Sequence, residues 1–153
     1  MSEQAGVYAR ESSYLDLVVQ FGTAQTRVIS ASFLTEVPAD ASTDHDLLDR
    51  VDAYFEGVEE DYTDVAVALT VPTDHRTVLE TVREIPYGQQ IRVEKLVRMS
   101  GGLNPDDEAD VRTALTALAE NPVPLFVPDH RVRNGPSGAP APVEQKLRSI
   151  EGL

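Results

Sequence analysis

Residues 121–133 read Asn-Pro-Val-Pro-Leu-Phe-Val-Pro-Asp-His-Arg-Val-Arg. Pro122, Pro124 and Pro128 each remove a backbone donor, so the stretch cannot be a regular helix. Val123, Leu125 and Val127 alternate, as one face of a short buried strand does. Pro128 restricts Val127 to extended conformations and fixes its own φ, which presents Asp129 and His130 at a stiff bend. The expectation is an extended segment ending in a rigid corner, where side chains are often held for chemistry. On spacing alone, a proline-rich loop closing a domain fits equally well.

Working outward, 153 residues with 41% apolar content suffice for one domain, or two small ones sharing a core. There is no cysteine, which excludes disulfides, thiolate metal sites and thiol nucleophiles together. The opening Met-Ser-Glu-Gln-Ala-Gly has neither a basic region nor an apolar core, and no later apolar run reaches membrane-spanning length. The expectation is a soluble, cytoplasmic monomer with no membrane partner, no cofactor and no metal.

The net charge of −13 argues at first sight against nucleic acid, because a binder must neutralise phosphates with Lys and Arg. The acid load is uneven, however. Residues 1–72 hold 14 acidic against 3 basic residues, a net of −11, whereas residues 73–153 hold 12 against 10, a net of −2. Lys95 and Lys146 are the only lysines. A carboxylate-rich, lysine-poor surface suits a salt-rich solvent, where ions screen self-repulsion; it then reports on solvent and not on partners.

Residues 12–21 and 26–33 are rich in Val, Ile, Leu and Tyr around a turn at 22–25, and read as a β-hairpin. Thr43 or Asp44 is placed to cap a helix carrying Leu47, Leu48, Val51, Tyr54 and Phe55, ended by Gly57. Residues 65–70 read as a third strand, giving a ββαβ layer. Asp74 starts a helix with Val78, Leu79 and Val82 inward, which stops at Pro86. A short helix at 93–99, a turn at Ser100-Gly101-Gly102 and a longer helix at 106–119 with Val111, Leu115 and Leu118 inward make a helix-turn-helix pattern. A helix at 142–150 closes the chain.

Asn121-Pro122 followed by Pro128-Asp129-His130-Arg131-Val132 resembles the active-site segment of the methylated-DNA–protein-cysteine methyltransferases, which remove alkyl groups from O6 of guanine. Ile85-Pro86-Tyr87-Gly88, the spacings from Arg112 to Asn121 to Asp129, and the terminal Glu151-Gly152 extend the resemblance over nearly the whole chain. It implies an α/β (α+β) fold: a ribonuclease-H-like support domain at 1–72, with a three-stranded antiparallel sheet and a helix, and a winged helix-turn-helix alkyltransferase domain at 73–153. In that family a Cys between Pro and His takes the alkyl group. Here Asp129 stands in its place, as in an alkyltransferase-like protein without its acceptor.

By the same resemblance, Arg112 is the finger that replaces a nucleotide rotated out of the duplex, and Asn121 holds the turn after the recognition helix. His130 and Glu151 match the pair that deprotonates the thiol through water. Thr113, Thr116, Arg131, Arg133 and Ser137 complete the expected DNA-contacting set, and Lys146 and Arg148 add charge nearby. The chain departs from the family at Val93, where a Tyr helps rotate the target phosphate. It departs again on the recognition helix, with Leu115, Thr116 and Glu120, and in a shortened loop at 134–140. The resemblance implies double-stranded, alkylated DNA as partner, with lesions recognised but not repaired in place and passed to downstream repair proteins. Two alternatives stay open: an Asp129 nucleophile whose alkyl ester water hydrolyses, and a degenerate scaffold. Asp129 is expected ionised at the mouth of a pocket, with His130 and Glu151 on its far side.

Overall fold

The computed structural model describes residues 5–153. Strands β1 (Ala5–Ser12), β2 (Leu17–Ala24) and β3 (Arg27–Leu34) form an antiparallel sheet with β2 in the centre. The β2–β3 hairpin forms as expected but turns later, at Gln25 and Thr26, because Ala24 still pairs with Arg27. Both turn residues take positive φ, 53° and 64°, the two-residue geometry that matches the twist of the flanking strands.

The third strand is a correction. Residues 65–70 contribute only a bridge, Val67 beside Val28, in which Val28 N–H donates to Ala66 O and Ala68 N–H to Val28 O. β1 supplies the strand instead, so the order is βββα. Its pattern was hidden because Arg10 lies on the same face as Tyr8, where it reaches Asp49 at 2.8 Å and Asp52 at 2.7 Å on the helix above. A charge on the covered face breaks the apolar alternation by which strands are read.

That helix, α1 (Asp46–Phe55), buries Leu47, Leu48, Val51 and Tyr54. Its cap is neither Thr43 nor Asp44 but His45, whose Nδ1 accepts from Leu47 N–H at 2.9 Å. Helices α2 (Thr73–Val82), α3 (Val93–Met99) and α4 (Glu108–Ala119) pack together through Val78, Leu79 and Val82, through Val93, Leu96 and Val97, and through Ala114, Ala117 and Leu118. On α4 the inward face is therefore rotated from the expected one. Two alanines let the axes approach closely, and Val111 and Leu115 remain half-buried on the flank. β4 (Ile91–Arg92) and β5 (Val132–Arg133) form a two-stranded parallel ribbon, and α5 (Ala141–Ile150) closes the chain.

Residues 123–127 are not a strand. Leu125 takes φ 79°, and Val127 N–H closes back on Val123 O at 2.9 Å, so the segment is a tight turn with every side chain buried. Alternation was an accident of a turn that is covered on all sides. Pro122 O accepts from Ala31 N–H of β3, and Phe126 packs edge-on against Phe21, 5.8 Å away, and Tyr62, 5.0 Å away. One apolar core thus runs from the sheet through this turn into the helices. Removing the Phe126 ring opens a cavity at the junction. Phe126→Ala is expected to lower the unfolding free energy by about 3–5 kcal/mol in a urea titration; a loss below about 1 kcal/mol would contradict this packing.

Candidate functional site

The corner after Pro128 is one turn of 3-10 helix, Asp129–Arg131, with all three side chains buried. Asp129 is 0% exposed, which corrects the expectation that it stands at a pocket mouth. Its Oδ1 accepts from Ser137 Oγ at 2.6 Å; its Oδ2 accepts from Gly138 N–H at 2.7 Å and Asn121 Nδ2 at 2.9 Å. Ser137 Oγ in turn accepts from Ala139 N–H. Burial pushes the Asp129 carboxyl above the usual carboxylate range, an effect that the bonds from Ser137, Gly138 and Asn121 oppose. Glycine is required at 138, since a Cβ there would run into the backbone oxygen of Asn121. The 134–140 loop is therefore fastened over Asp129 by the very group that replaces the expected cysteine.

Asn121 is where the expectation placed it, at the hinge after α4. Its Oδ1 accepts from Val123 N–H, and its Nδ2 serves both Val127 O and Asp129. At the other end of the loop, Asn134 Oδ1 accepts from Val93 N–H, which ties the loop to the start of α3.

His130 and Glu151 do meet: Nε2 donates to Oε2 at 2.7 Å. They meet inside a larger cluster that the sequence did not reveal. Glu151 also accepts from Tyr54 Oη at 2.5 Å, Gly88 N–H at 2.9 Å and Arg131 through Nε at 2.8 Å and Nη2 at 3.0 Å. Burial pushes the Glu151 carboxyl up, but His130 and Arg131 outweigh it and hold the group at about 2. Burial beside this carboxylate also keeps the Tyr54 hydroxyl protonated, well above the ordinary tyrosine range. His130 Nδ1 is buried without a protein partner among the described residues.

Arg131 needs correction as a DNA contact. It is 2% exposed, and its guanidinium is spent on Glu151, Asp61, Ile85 O and Glu60 O. It is a core ion pair joining the acidic turn near Asp61 to the last helix. Arg148 is likewise engaged, donating to His130 O and Gln90 Oε1, and Lys146 reaches Tyr14 O. No local signal distinguishes such an arginine from a surface one; Tyr54, Asp61 and Gly138 were missed for the same reason.

The remaining expected contacts lie on the surface. Arg112 is exposed on α4, beside a shallow cavity of about 320 Å³ shared with Val111 and Leu115. Thr113 and Thr116 are half-buried on that helix, and Thr113 Oγ1 bonds back to Ala109 O. Arg133 is exposed on β5. A roomier cavity, about 470 Å³, lies between the sheet and the start of α1 and shares no residue with this site.

A family model described as 6-O-methylguanine DNA methyltransferase, DNA binding domain, matches residues 62–149, more than half of the chain. A methylated-DNA–protein-cysteine methyltransferase of Methanopyrus kandleri is 35% identical over 109 residues, covering 70% of this chain and 78% of the relative. Among solved structures, Mycobacterium tuberculosis OGT in complex with DNA matches with a TM-score of 0.72 at 19% identity, covering 95% of this chain and 92% of that one. The O6-methylguanine-DNA methyltransferase of Pyrococcus kodakaraensis matches with a TM-score of 0.66 at 20% identity, covering 97% and 99%. At such identities the structural likeness speaks to the fold.

The Glu151 cluster has a measurable pH signature. A carboxyl held below its unfolded value stabilises the fold above the unfolded pKa, and that contribution fades as pH falls through the folded pKa. Glu151→Gln removes the fully buried one of Arg131's two carboxylate partners and leaves only the half-exposed Asp61, and is expected to cost about 3–5 kcal/mol near neutrality. The gap to wild type should narrow as pH falls from about 4.5 towards about 2. Urea titrations of both proteins across that range check it; a gap independent of pH would refute the ion pair.

Proposed function

The chain belongs to the 6-O-methylguanine DNA methyltransferase family, and from that premise we propose that it is a non-transferring, alkyltransferase-like protein that senses O6-alkylguanine-type lesions in duplex DNA. The observation that carries this reading is the state of residue 129. A thiolate nucleophile must be exposed and activated, whereas Asp129 is wholly buried and spends its oxygens on three donors. The chain has no cysteine to take over. The same burial speaks against a carboxylate nucleophile, which needs an open path to the alkyl carbon.

In this reading, residues 73–153 form the DNA-binding domain and residues 1–72 support it. Helix α4 is the recognition helix, the β4–β5 ribbon the wing, and Arg112 the side chain that enters the stack when a base rotates out. Asn121 holds the hinge, and His130 and Glu151, with no thiol to deprotonate, serve as structural partners of Tyr54 and Arg131. A flipped base reaches Asp129 only when the 134–140 loop gives up the Ser137 and Gly138 bonds. The freed carboxylate, an acceptor, then suits the exocyclic amine that alkylation at O6 leaves in place. The protein marks the lesion and leaves removal to other repair proteins. Its acidic remainder is an adaptation to salt-rich solvent.

One observation favours a second reading, a scaffold that ignores lesions: the loop already closes the site. Equilibrium binding to paired duplexes, one with a single O6-methylguanine, separates the two. Lesion sensing predicts about tenfold tighter binding to the damaged duplex, or about 1.4 kcal/mol. No labelled methyl group should remain on the protein after denaturation. Equal affinities would leave only the scaffold, and retained label would overturn non-transfer.

A further inference from the structure

Six of the chain's 13 Lys and Arg side chains are already spent, Lys146 and Arg148 among them. Arg10 and Arg50 are paired with carboxylates, Arg131 is buried against Glu151, and Arg83 donates to the carbonyls of Tyr62 and Val65. One region differs. On α3 the buried residues Val93, Leu96 and Val97 define the inner face, and Arg92, Lys95 and Arg98 follow one another at three-residue intervals along the exposed side. They border an open groove of about 410 Å³ floored by Gln90 and Ile91. The only acid among the groove's residues is Glu94, which meets Arg92 loosely at 3.5 Å. Lys95, Arg98 and Arg133 make no salt bridge among the described residues.

The ribbon adds a fourth charge at a cost. Arg92 on β4 is the direct register partner of Arg133 on β5, both exposed. Like charges opposite one another on adjacent strands are destabilising, and here no carboxylate bridges the pair. In a protein of net charge −13, with acids to spare, three cations without a salt bridge among the described residues, beside an Arg92 held only loosely by Glu94, call for an anion that comes from outside.

We infer that Arg92, Lys95, Arg98 and Arg133 form a rail for the phosphate backbone of duplex DNA, separate from the α4 face that carries Arg112. This rests on the DNA-binding reading above and adds the surface that supplies its electrostatic part. From Arg92 to Arg98 the helix rises about 9 Å. One strand of a duplex presents a phosphate about every 3.4 Å along the axis, so the stripe spans two or three in succession. Backbone contacts of this kind fix register and orientation without reading sequence or damage. Val93 lies buried under the stripe and cannot reach DNA, so any backbone contact on this side falls to its charged neighbours.

The test is the salt dependence of duplex binding by the intact protein. Wild type, the triple variant Arg92→Gln/Lys95→Gln/Arg98→Gln and Arg112→Ala are titrated with undamaged and O6-methylguanine duplexes over a range of potassium chloride. Each lost phosphate contact lowers the slope of log affinity against log salt by about 0.9, so the triple variant should lose about 2–3 in slope. Its ratio of damaged to undamaged affinity should match wild type. Because it relieves the Arg92–Arg133 repulsion, its unfolding midpoint should be no lower than wild type. Arg112→Ala should keep the slope within about one contact and lose the ratio.

A triple variant that folds and keeps the wild-type slope overturns the rail and leaves the basic face for an acidic protein. Loss of slope alongside lesion-blind wild-type binding supports the rail while removing lesion sensing. Absence of duplex binding by wild type at low salt removes both.

Discussion

A carboxylate buried at the end of a final helix persists only if donors surround it, and Glu151 has four residues donating to it from three parts of the chain. Tyr54 comes from α1, Gly88 from the corner between α2 and β4, and His130 and Arg131 from the turn after Pro128. Arg131 carries the link on to Asp61 and Glu60 O in the acidic turn. The sheet layer and the helical layer are therefore held together by one ion-pair network as well as by the Phe21, Tyr62 and Phe126 stack. A pair so deeply buried stabilises mainly in the sense that it cannot be half removed.

Much of the helical frame was legible because it rests on local periodicity. The 93–99 helix lies where its pattern put it, and Arg112 is exposed because it lies opposite the apolar stripe of α4. What escaped the sequence was decided by distant partners. β1 was hidden by Arg10, whose charge is answered by α1 a long way along the chain. Residues 65–70 have strand composition but meet only the edge of β3. At Leu125 a left-handed backbone turned an alternating pattern into a turn, and such a conformation at leucine is set by surrounding packing.

The site follows the same division. The motif pointed to Asn121, Asp129, His130 and Glu151, and these bond in two pairs, the expected His130 with Glu151 and the unexpected Asn121 with Asp129. The exposure of Asp129 and Arg131 could not be read, because it depends on Ser137, Gly138 and Asp61 folding back over them. Replacing a thiol by a carboxylate changes what the position needs. A thiol tolerates an open pocket; a desolvated carboxylate collects donors, and the short 134–140 loop supplies two of them. Asp129 is a buried, fully bonded carboxylate, and the loop is its cover.

The closure of that loop is what keeps Asp129 from solvent. Amide hydrogen exchange at Gly138 measures it directly, since this N–H donates to the buried Asp129 carboxylate. If the loop is fastened as described, Gly138 exchanges about as slowly as the core amide of Leu118 on α4. Exchange at close to the unprotected rate, with Leu118 still protected, would mean that the loop stands open and that Asp129 faces solvent.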